Sequence, residues 1–260
     1  MEAAPREERD GLKELKSSIT EFLRSGESSL AVREFISSVS ENDLKLVTYL
    51  KGRKYSPNHA WETLLRYAEV RFNEYPEVFS EALPDGFLPL FKTGVMGFLK
   101  TRDDLGRRIV YFNGGKWEPS EISLEQMTSA ATHFIDRLML DEDVINNGVI
   151  IVQNCTGMGM KHFKAYSLRG MLQQINIFCY AYPVKVKACY YLNVPFYALY
   201  LHKLVKPFLS KKLKERFIVS TTDRQFEVLH ENISPKLLPK LLGGVCDNDE
   251  VTDWDLLYNL

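Results

Sequence analysis

The sequence predicts an α/β fold in two parts: an N-terminal helical module, then a domain built on a mostly parallel sheet with flanking helices. Three features carry that reading. Apolar residues recur at helical spacing up to about Phe91. Beyond Gly94, short β-prone runs alternate with helix-length segments, as in βαβ units. VIIVQN (from Val149) and VKACYYLN (from Val186) read as strands buried on both faces.

In chain order, Leu12, Leu15, Ile19, Phe22 and Leu23 mark a first helix. Ser40 is an N-cap candidate ahead of Glu41-Asn42-Asp43, with Leu44, Val47 and Leu50 following on one face. Lys51-Gly52-Arg53-Lys54 breaks the pattern. Ser56-Pro57 opens the next helix, a cap followed by proline in the first turn, and Ala60, Leu64, Ala68 and Phe72 belong to its buried stripe. VMGFLK and RRIVYF flank Arg102-Asp103-Asp104-Leu105-Gly106 and predict a hairpin. Ser123-Leu124-Glu125-Gln126 has capping-box spacing and predicts a helix to about Leu140. Another helix is expected from about Phe163 to Tyr180. RFIVS predicts a last strand, Thr222-Asp223-Arg224-Gln225 a second capping box, and Gly243-Gly244 the end of the compact fold. The expected boundaries are 1–91 for the helical module, with a flexible extreme N-terminus, 92–245 for the α/β domain and 246–260 for an acidic tail.

Composition narrows the function. With 45% hydrophobic and 26% charged residues in 260, the chain can build a sizeable core. Its net charge of −1 means that attraction to polyanions must come from local patches, and nucleic acid is not an expected partner. Cys155, Cys179, Cys189 and Cys246 lack metal-ligand spacing, so reduced thiols and no metal or cofactor are expected. MEAAPREERDGLKEL has no apolar core of a secretory signal, and no apolar run reaches membrane-spanning length, which leads to an expected cytoplasmic protein. No G-x-S-x-G, P-loop or H-E-x-x-H occurs, and the five histidines have no motif partners. Asn154-Cys155 through Lys161 superficially resembles a phosphatase loop. It lacks the preceding His and the closing Arg, so no catalytic residue is expected.

The stretch from Tyr182 to Ile218 is the most informative. After the break at Asn193-Val194-Pro195 comes an almost wholly apolar segment, Phe196 to Leu209, which then turns densely cationic at Lys211, Lys212, Lys214 and Arg216. An apolar element beside a cationic patch suits a protein that hides an apolar ligand and touches an anionic membrane. A core helix with a solvated basic end has the same composition.

Four landmarks in order, GVIIVQNCTG from Gly148, Tyr182-Pro183-Val184-Lys185 ahead of Leu192-Asn193-Val194-Pro195, Lys206-Pro207-Phe208-Leu209, and Leu238-Pro239 before Gly243-Gly244, resemble the CRAL-TRIO lipid-binding family. Leu50-Lys51-Gly52-Arg53-Lys54-Tyr55 resembles the family's N-terminal helical module. KPFLSKKLKERF is most similar to the animal branch that includes α-tocopherol transfer protein, cellular retinaldehyde-binding protein and the clavesins. The resemblance implies a mixed sheet floor, flanking helices and a mobile lid helix over an apolar pocket. It implies a phosphoinositide site at Arg53, Lys185, Lys187, Lys212 and Arg216. It also implies a ligand cavity at Thr128, Ala131, Ile135, Val149, Ile151, Gln153, Gln174, Ile177, Phe178, Val184, Val186 and Cys189, with lid residues Ala198, Leu201, His202, Val205 and Leu209. Ala131, Ile135 and Ala198 depart from the tocopherol pattern, and Gln153 and Gln174 put polar groups where that pattern is apolar. A differently shaped ligand with its own hydrogen-bonding group follows. The implied function is a non-enzymatic, monomeric cytosolic carrier of a retinoid-like, tocopherol-like or other lipid. Phosphoinositide membranes would promote release. A phosphoinositide-sensing adaptor and a phosphatidylinositol-type exchange protein are the alternatives.

Overall fold

In a computed structural model the described residues are 5–80, 83 and 87–258, with Tyr197, Leu201, His202 and Tyr258 described in backbone only. Helices α1 (Arg6–Ser25), α2 (Leu30–Ser40), α3 (Asp43–Gly52) and α4 (Pro57–Glu69) form the N-terminal module. Their apolar stripes meet in one cluster where Leu15, Val32, Ile36, Leu46, Leu50 and Leu64 are fully buried. Ser40 is not the cap of α3. Val39 continues the buried stripe of Val32 and Ile36, so α2 runs through Ser40, and Asn42 caps α3 by accepting the Lys45 amide at 3.1 Å. Helix α4 begins at Pro57 as expected and continues as a π-helical turn, Val70–Glu74.

After α5 (Phe87–Lys92), strand β1 (Met96–Arg102) pairs antiparallel with β2 (Arg108–Asn113). Strands β3 (Val149–Asn154), β4 (Val186–Val194) and β5 (Phe217–Thr221) follow in parallel, so the sheet order is β1-β2-β3-β4-β5. The connections are α6 (Leu124–Leu138) with α7 (Glu142–Asn147), then α8 (Met160–Ala165) with α9 (Leu168–Ile175), then α10 (Leu199–Val205) with α11 (Lys211–Arg216). Because the parallel strands advance in one direction across the sheet, crossovers of the usual right hand all fall on the same face. The opposite face is closed by α12 (Glu227–His230), the turns after it and α13 (Asn248–Val251). There Ile109, Ile150, Val152, Ala188 and Leu192 pack on Leu229, Ile233, Leu238 and Leu242.

Several boundaries differ from the sequence expectation. The capping box of Ser123 and Gln126 forms, and α6 ends at Leu138. The helix expected over 163–180 is divided. Tyr166 turns inward against Trp117, with ring centroids 5.5 Å apart, and Ser167 restarts the chain as α9 by accepting the Gly170 amide. Asn176–Ala181 then forms a second π-helical turn. No capping box forms at Thr222, because Thr221 takes the Asp223 carboxylate and the chain turns until α12. The compact fold does not end at Gly243-Gly244. Asp253 donates its amide to the Phe98 carbonyl at 2.7 Å, its carboxylate meets Arg108 at 2.8 Å, and α14 (Trp254–Tyr258) buries Leu257. The acidic segment thereby covers the free edge of β1.

Two of the contacts that seat the helical module on the sheet domain show how closely it is held. Tyr67 and Arg71 reach Asp136 of α6 at 2.8 and 3.1 Å. Gly52 lies so close to Pro183 that a Cβ would stand 2.4 Å from its carbonyl oxygen. Gly52→Ala should therefore destabilise the protein by about 1–3 kcal/mol through overpacking of the seam. Chemical denaturation checks this; an unchanged midpoint would mean that the seam yields freely.

Candidate functional site

Between the crossover face of the sheet and α6, α9 and α10 lies a cavity of about 320 Å³. Its floor is set by the two-residue period of the strands: Val110 and Phe112, then Val149, Ile151 and Gln153, then Phe217 and Val219. On β4 the floor residues Val186, Cys189 and Tyr191 break that period. A bulge explains it, since Val149 pairs with Val186 and Ile150 with Ala188, leaving Lys187 unpaired between them. Ala131 and Ile135 of α6, Gln174 of α9, then Phe178 and Val184 form walls, and Ala198 and Val205 close the cavity from the α10 side.

Two expected cavity residues, Thr128 and Ile177, and one expected lid residue, Leu209, stand off the wall. Thr128 turns its hydroxyl to the Leu124 carbonyl at 2.8 Å and accepts the Gln174 amide at 3.1 Å, so it positions Gln174 rather than facing the space. Ile177, in the π-helical turn, is fully buried in the core. Leu209 follows α10 and packs with Ile175, Val205 and Leu213. The side chains of Leu201 and His202 lie outside the described residues. Sequence reasoning missed the aromatic part of the wall, Phe112, Trp117, Phe163, Tyr166, Tyr191 and Phe217. For the strand members the signal was available, because each shares parity with an apolar neighbour on its own strand.

The wall carries no charged side chain among the described residues. Burial pushes the thiols of Cys155 and Cys179 up to about 12, so neither supplies a thiolate nucleophile near neutral pH. Asn154, to which the sequence assigned no role, ties strand ends together. Its Nδ2 donates to Asn113 Oδ1 and the Leu241 carbonyl, and its Oδ1 accepts from Thr156 and Asn193.

The outer side of the α10 segment is apolar as well. Phe196, Tyr200 and Phe208 are exposed by 86%, 64% and 53%, a concentration of aromatic surface that water does not favour. The segment is not one helix. Phe196–Ala198 is a 3-10 turn, α10 stops at Val205, Pro207 sits in a further 3-10 turn, and Ser210 caps a new helix, α11, which holds Lys211, Lys212, Lys214 and Arg216. No helix among the described residues is long and apolar enough to cross a membrane.

The five cations expected at an anion site do converge. Burial first, then the charges of Lys187, Arg53, Lys54 and Lys212, hold the Lys185 pKa below the ordinary lysine range. Burial and then Arg216, Arg107, Lys54 and Lys212 do the same to Lys187. Lys54 and Arg107 thus join a cluster whose other members were legible in the sequence. Lys54 is placed by an unusual turn after α3, in which Lys54 and Tyr55 both have positive φ, +55° and +58°. Three members spend donors on backbone carbonyls. Arg53 reaches Tyr182 and Pro183 at 2.6 and 3.2 Å, Lys185 reaches Lys51 and Ile145 at 3.1 Å each, and Arg216 reaches Val186 at 2.5 Å. Arg53 also donates to Thr63 at 2.7 Å, so it enters the cluster as a fixed charge that fastens the helical module to the segment leading into β4. Lys187 and Lys212 have no hydrogen-bond or carboxylate partner among the described residues.

Two outcomes follow from these contacts. Arg53→Met should cost about 1.5–3 kcal/mol, the worth of charge-assisted bonds to two carbonyls, read by urea denaturation. Because the folded pKa of Lys185 and Lys187 is depressed, the cost of holding both charged is fully present below those lowered values. It is relieved as pH rises towards the ordinary lysine range. Lys187 should therefore acylate ahead of isolated surface lysines in peptide-mapped labelling at mildly alkaline pH, and bound polyphosphate should suppress the reaction.

Comparison with known proteins places this architecture. The family model described as the CRAL/TRIO domain matches residues 92–244, more than half of the chain. The chain is 26% identical over 221 residues to "Alpha-tocopherol transfer protein-like" of Homo sapiens and of Mus musculus, covering 84% of this chain and 63% of either relative. It is 22% identical over 223 residues to "Clavesin-2" of Homo sapiens, covering 85% of this chain and 68% of the relative. The chain thus spans less than two thirds of the length of the first two relatives. The solved structure titled "Crystal structure of Sfh5" matches with a TM-score of 0.58 at 15% identity, over 100% of this chain and 97% of the other, a likeness of fold. The five-stranded sheet and its helical cover agree with the family model's match over residues 92–244: the chain belongs to the CRAL/TRIO domain family.

Proposed function

We propose that this protein is a carrier, which holds a hydrophobic small molecule in the cavity above its sheet and moves it between membranes. The observation that carries the reading is the cavity itself, a partly open space of about 320 Å³ whose wall, among the described residues, is uncharged and mainly apolar. Natural cores are packed close to crystal density, so a void of this size is not maintained by packing alone. It lies at the lower end of the range of about 300–1,000 Å³ that small-molecule pockets span. That size suits a single-chain or ring compound better than a two-chain phospholipid, which disfavours the phospholipid-exchange alternative. An adaptor that only sensed a headgroup would need no such space.

Each apolar square ångström removed from water contributes roughly 25 cal/mol, enough to offset the loss of a lipid from the bilayer. Release then needs a bias. In this reading the α10 segment is the lid, with Ala198 and Val205 towards the cavity and Phe196, Tyr200 and Phe208 available to the bilayer. A phosphoinositide headgroup would meet Lys187 and Lys212 beside the fixed charges of Arg53, Lys185 and Arg216, since several converging cations suit a polyphosphate. It favours the open lid only by binding that state more tightly.

Native mass spectrometry of the protein isolated from its source cells tests the reading. The expected result is one hydrophobic molecule per chain; an empty protein that still binds phosphoinositide vesicles would support the adaptor instead. For release, Lys187→Ala with Lys212→Ala should lower affinity for phosphoinositide vesicles about tenfold and flatten its salt dependence. Phosphoinositide-stimulated transfer should fall with it. Stimulated transfer equal to that of the unaltered protein would remove the cluster from the mechanism.

A further inference from the structure

One amine of the cationic cluster differs from the rest in its surroundings. Lys187 is partly buried at the bulge of β4, with its stem against Gly148, where a Cβ would stand 3.0 Å from Lys187 Cγ. Its own amine has no hydrogen-bond or carboxylate partner among the described residues. The cations around it are held by other contacts. Arg216 of α11 donates to the carbonyl of Val186, the residue before it, at 2.5 Å. Lys185 donates to Lys51 and Ile145, and Arg107 in the β1–β2 turn donates to the Asp103 carboxylate. Burial, then Arg216, Arg107, Lys54 and Lys212, keep the Lys187 pKa below the ordinary lysine range, so a larger share of it is neutral amine near neutral pH. The other lysines of the cluster lack this combination, because Lys185 commits its amine to two carbonyls and Lys54 and Lys212 are exposed.

A neutral amine beside other cationic groups is an activated nucleophile, and converging cations also hold polyphosphate. A reagent that joins an electrophile to a polyphosphate is therefore brought to the amine that can attack it. We propose that Lys187 is a covalent modification site, acylated by thioesters that carry a polyphosphate handle, the chemistry of coenzyme A thioesters. The proposal rests on the reading of the cluster as a polyphosphate site and adds a covalent step to it. The unprotonated Nζ attacks the thioester carbonyl carbon; a C–N bond forms, the C–S bond breaks, and the amine proton leaves with the sulfur. The products are an amide on Lys187 and a free thiol, with no oxidant or reductant consumed. The positive field of the cluster favours the negative charge that develops on the thioester oxygen. Acylation then removes the Lys187 charge. The cluster holds polyanions less strongly afterwards, so the modification turns down docking on phosphoinositide membranes.

The test incubates the full chain at mildly alkaline pH with acetyl-CoA or with S-acetyl-N-acetylcysteamine, which presents the same thioester without phosphate. Acetylation at each lysine is followed by peptide-mapped mass spectrometry. Acetyl-CoA should modify Lys187 about tenfold faster than the exposed Lys13 and Lys45, and most of that lead should vanish with the phosphate-free thioester. Inositol hexakisphosphate should suppress the acetyl-CoA reaction at Lys187 and leave Lys13 and Lys45 unaffected. In Lys212→Ala, a change at an exposed position, the lead with acetyl-CoA should shrink. Protein acetylated at Lys187 should bind phosphatidylcholine vesicles containing phosphatidylinositol bisphosphate about fivefold more weakly than unmodified protein. Equal rates at Lys187 and the exposed lysines overturn the proposal, and so does an equal lead with both thioesters. Unmodified protein that binds these vesicles without directed acetylation overturns this proposal alone. Unmodified protein that neither binds them nor shows directed acetylation removes the polyphosphate site on which both readings stand.

Discussion

The structure depends on the unequal treatment of the two faces of its sheet. Strands that advance in one direction send every crossover helix to one side, so the other side must be covered by whatever remains of the chain. Here the segments around α12 and α13 do so, with Leu229, Ile233, Leu238 and Leu242 fully or almost fully buried. The crossover side is closed by short elements, α8, α9, α10 and the π-helical turn at Asn176–Ala181, that arch over the floor instead of lying flat on it. A long helix in that position would bring an unbroken apolar stripe down onto Val149 and Ile151. Breaking the cover at Tyr166-Ser167 and Pro207 keeps it off the floor, and the space beneath becomes the cavity.

The cavity and the cationic cluster share one extended stretch, the entry to β4 and its first residues. Lys185 and Lys187 alternate with Val184 and Val186, so the residues that gather positive charge outside are the neighbours of residues that line the space within. The bulge at Lys187 tightens this link. Gly148, at φ +85°, lies against Lys185, where a Cβ would stand 2.3 Å from its carbonyl oxygen, so the chain can make the tight approach only with glycine. Arg53 and Arg216 grip carbonyls at or just before the start of β4, and Lys185 grips carbonyls of α3 and α7, while all three add charge to the cluster. An anion that drew on these donors would disturb the seam between the helical module and the sheet.

Much of this was legible in the sequence, and the misreadings have identifiable causes. Strand runs, the Ser123 capping box and the proline start of α4 are local signals, fixed by period, side-chain hydrogen bonding and the φ restriction of proline. The cap at Ser40 was misplaced because two serviceable cap residues lie two positions apart, and only the burial of Val39 decides between them. The C-terminal segment read as an acidic tail, since its charges conceal Val251 and Leu257. What it covers is an edge of β1, remote in sequence.

By itself the sequence determined the order of helices and strands, the alternation that gives each strand an inner and an outer set, and the concentration of cations after the apolar segment. These follow from nearest neighbours and short periods along the chain. Tertiary structure decided which set faces a void and which a packed core, that Arg53 fastens a seam while Lys187 and Lys212 stay free, and that Thr128 stands behind Gln174. Such outcomes depend on what lies opposite a side chain. A sequence fixes the direction in which a residue points along its own element, but only the folded chain supplies its partner.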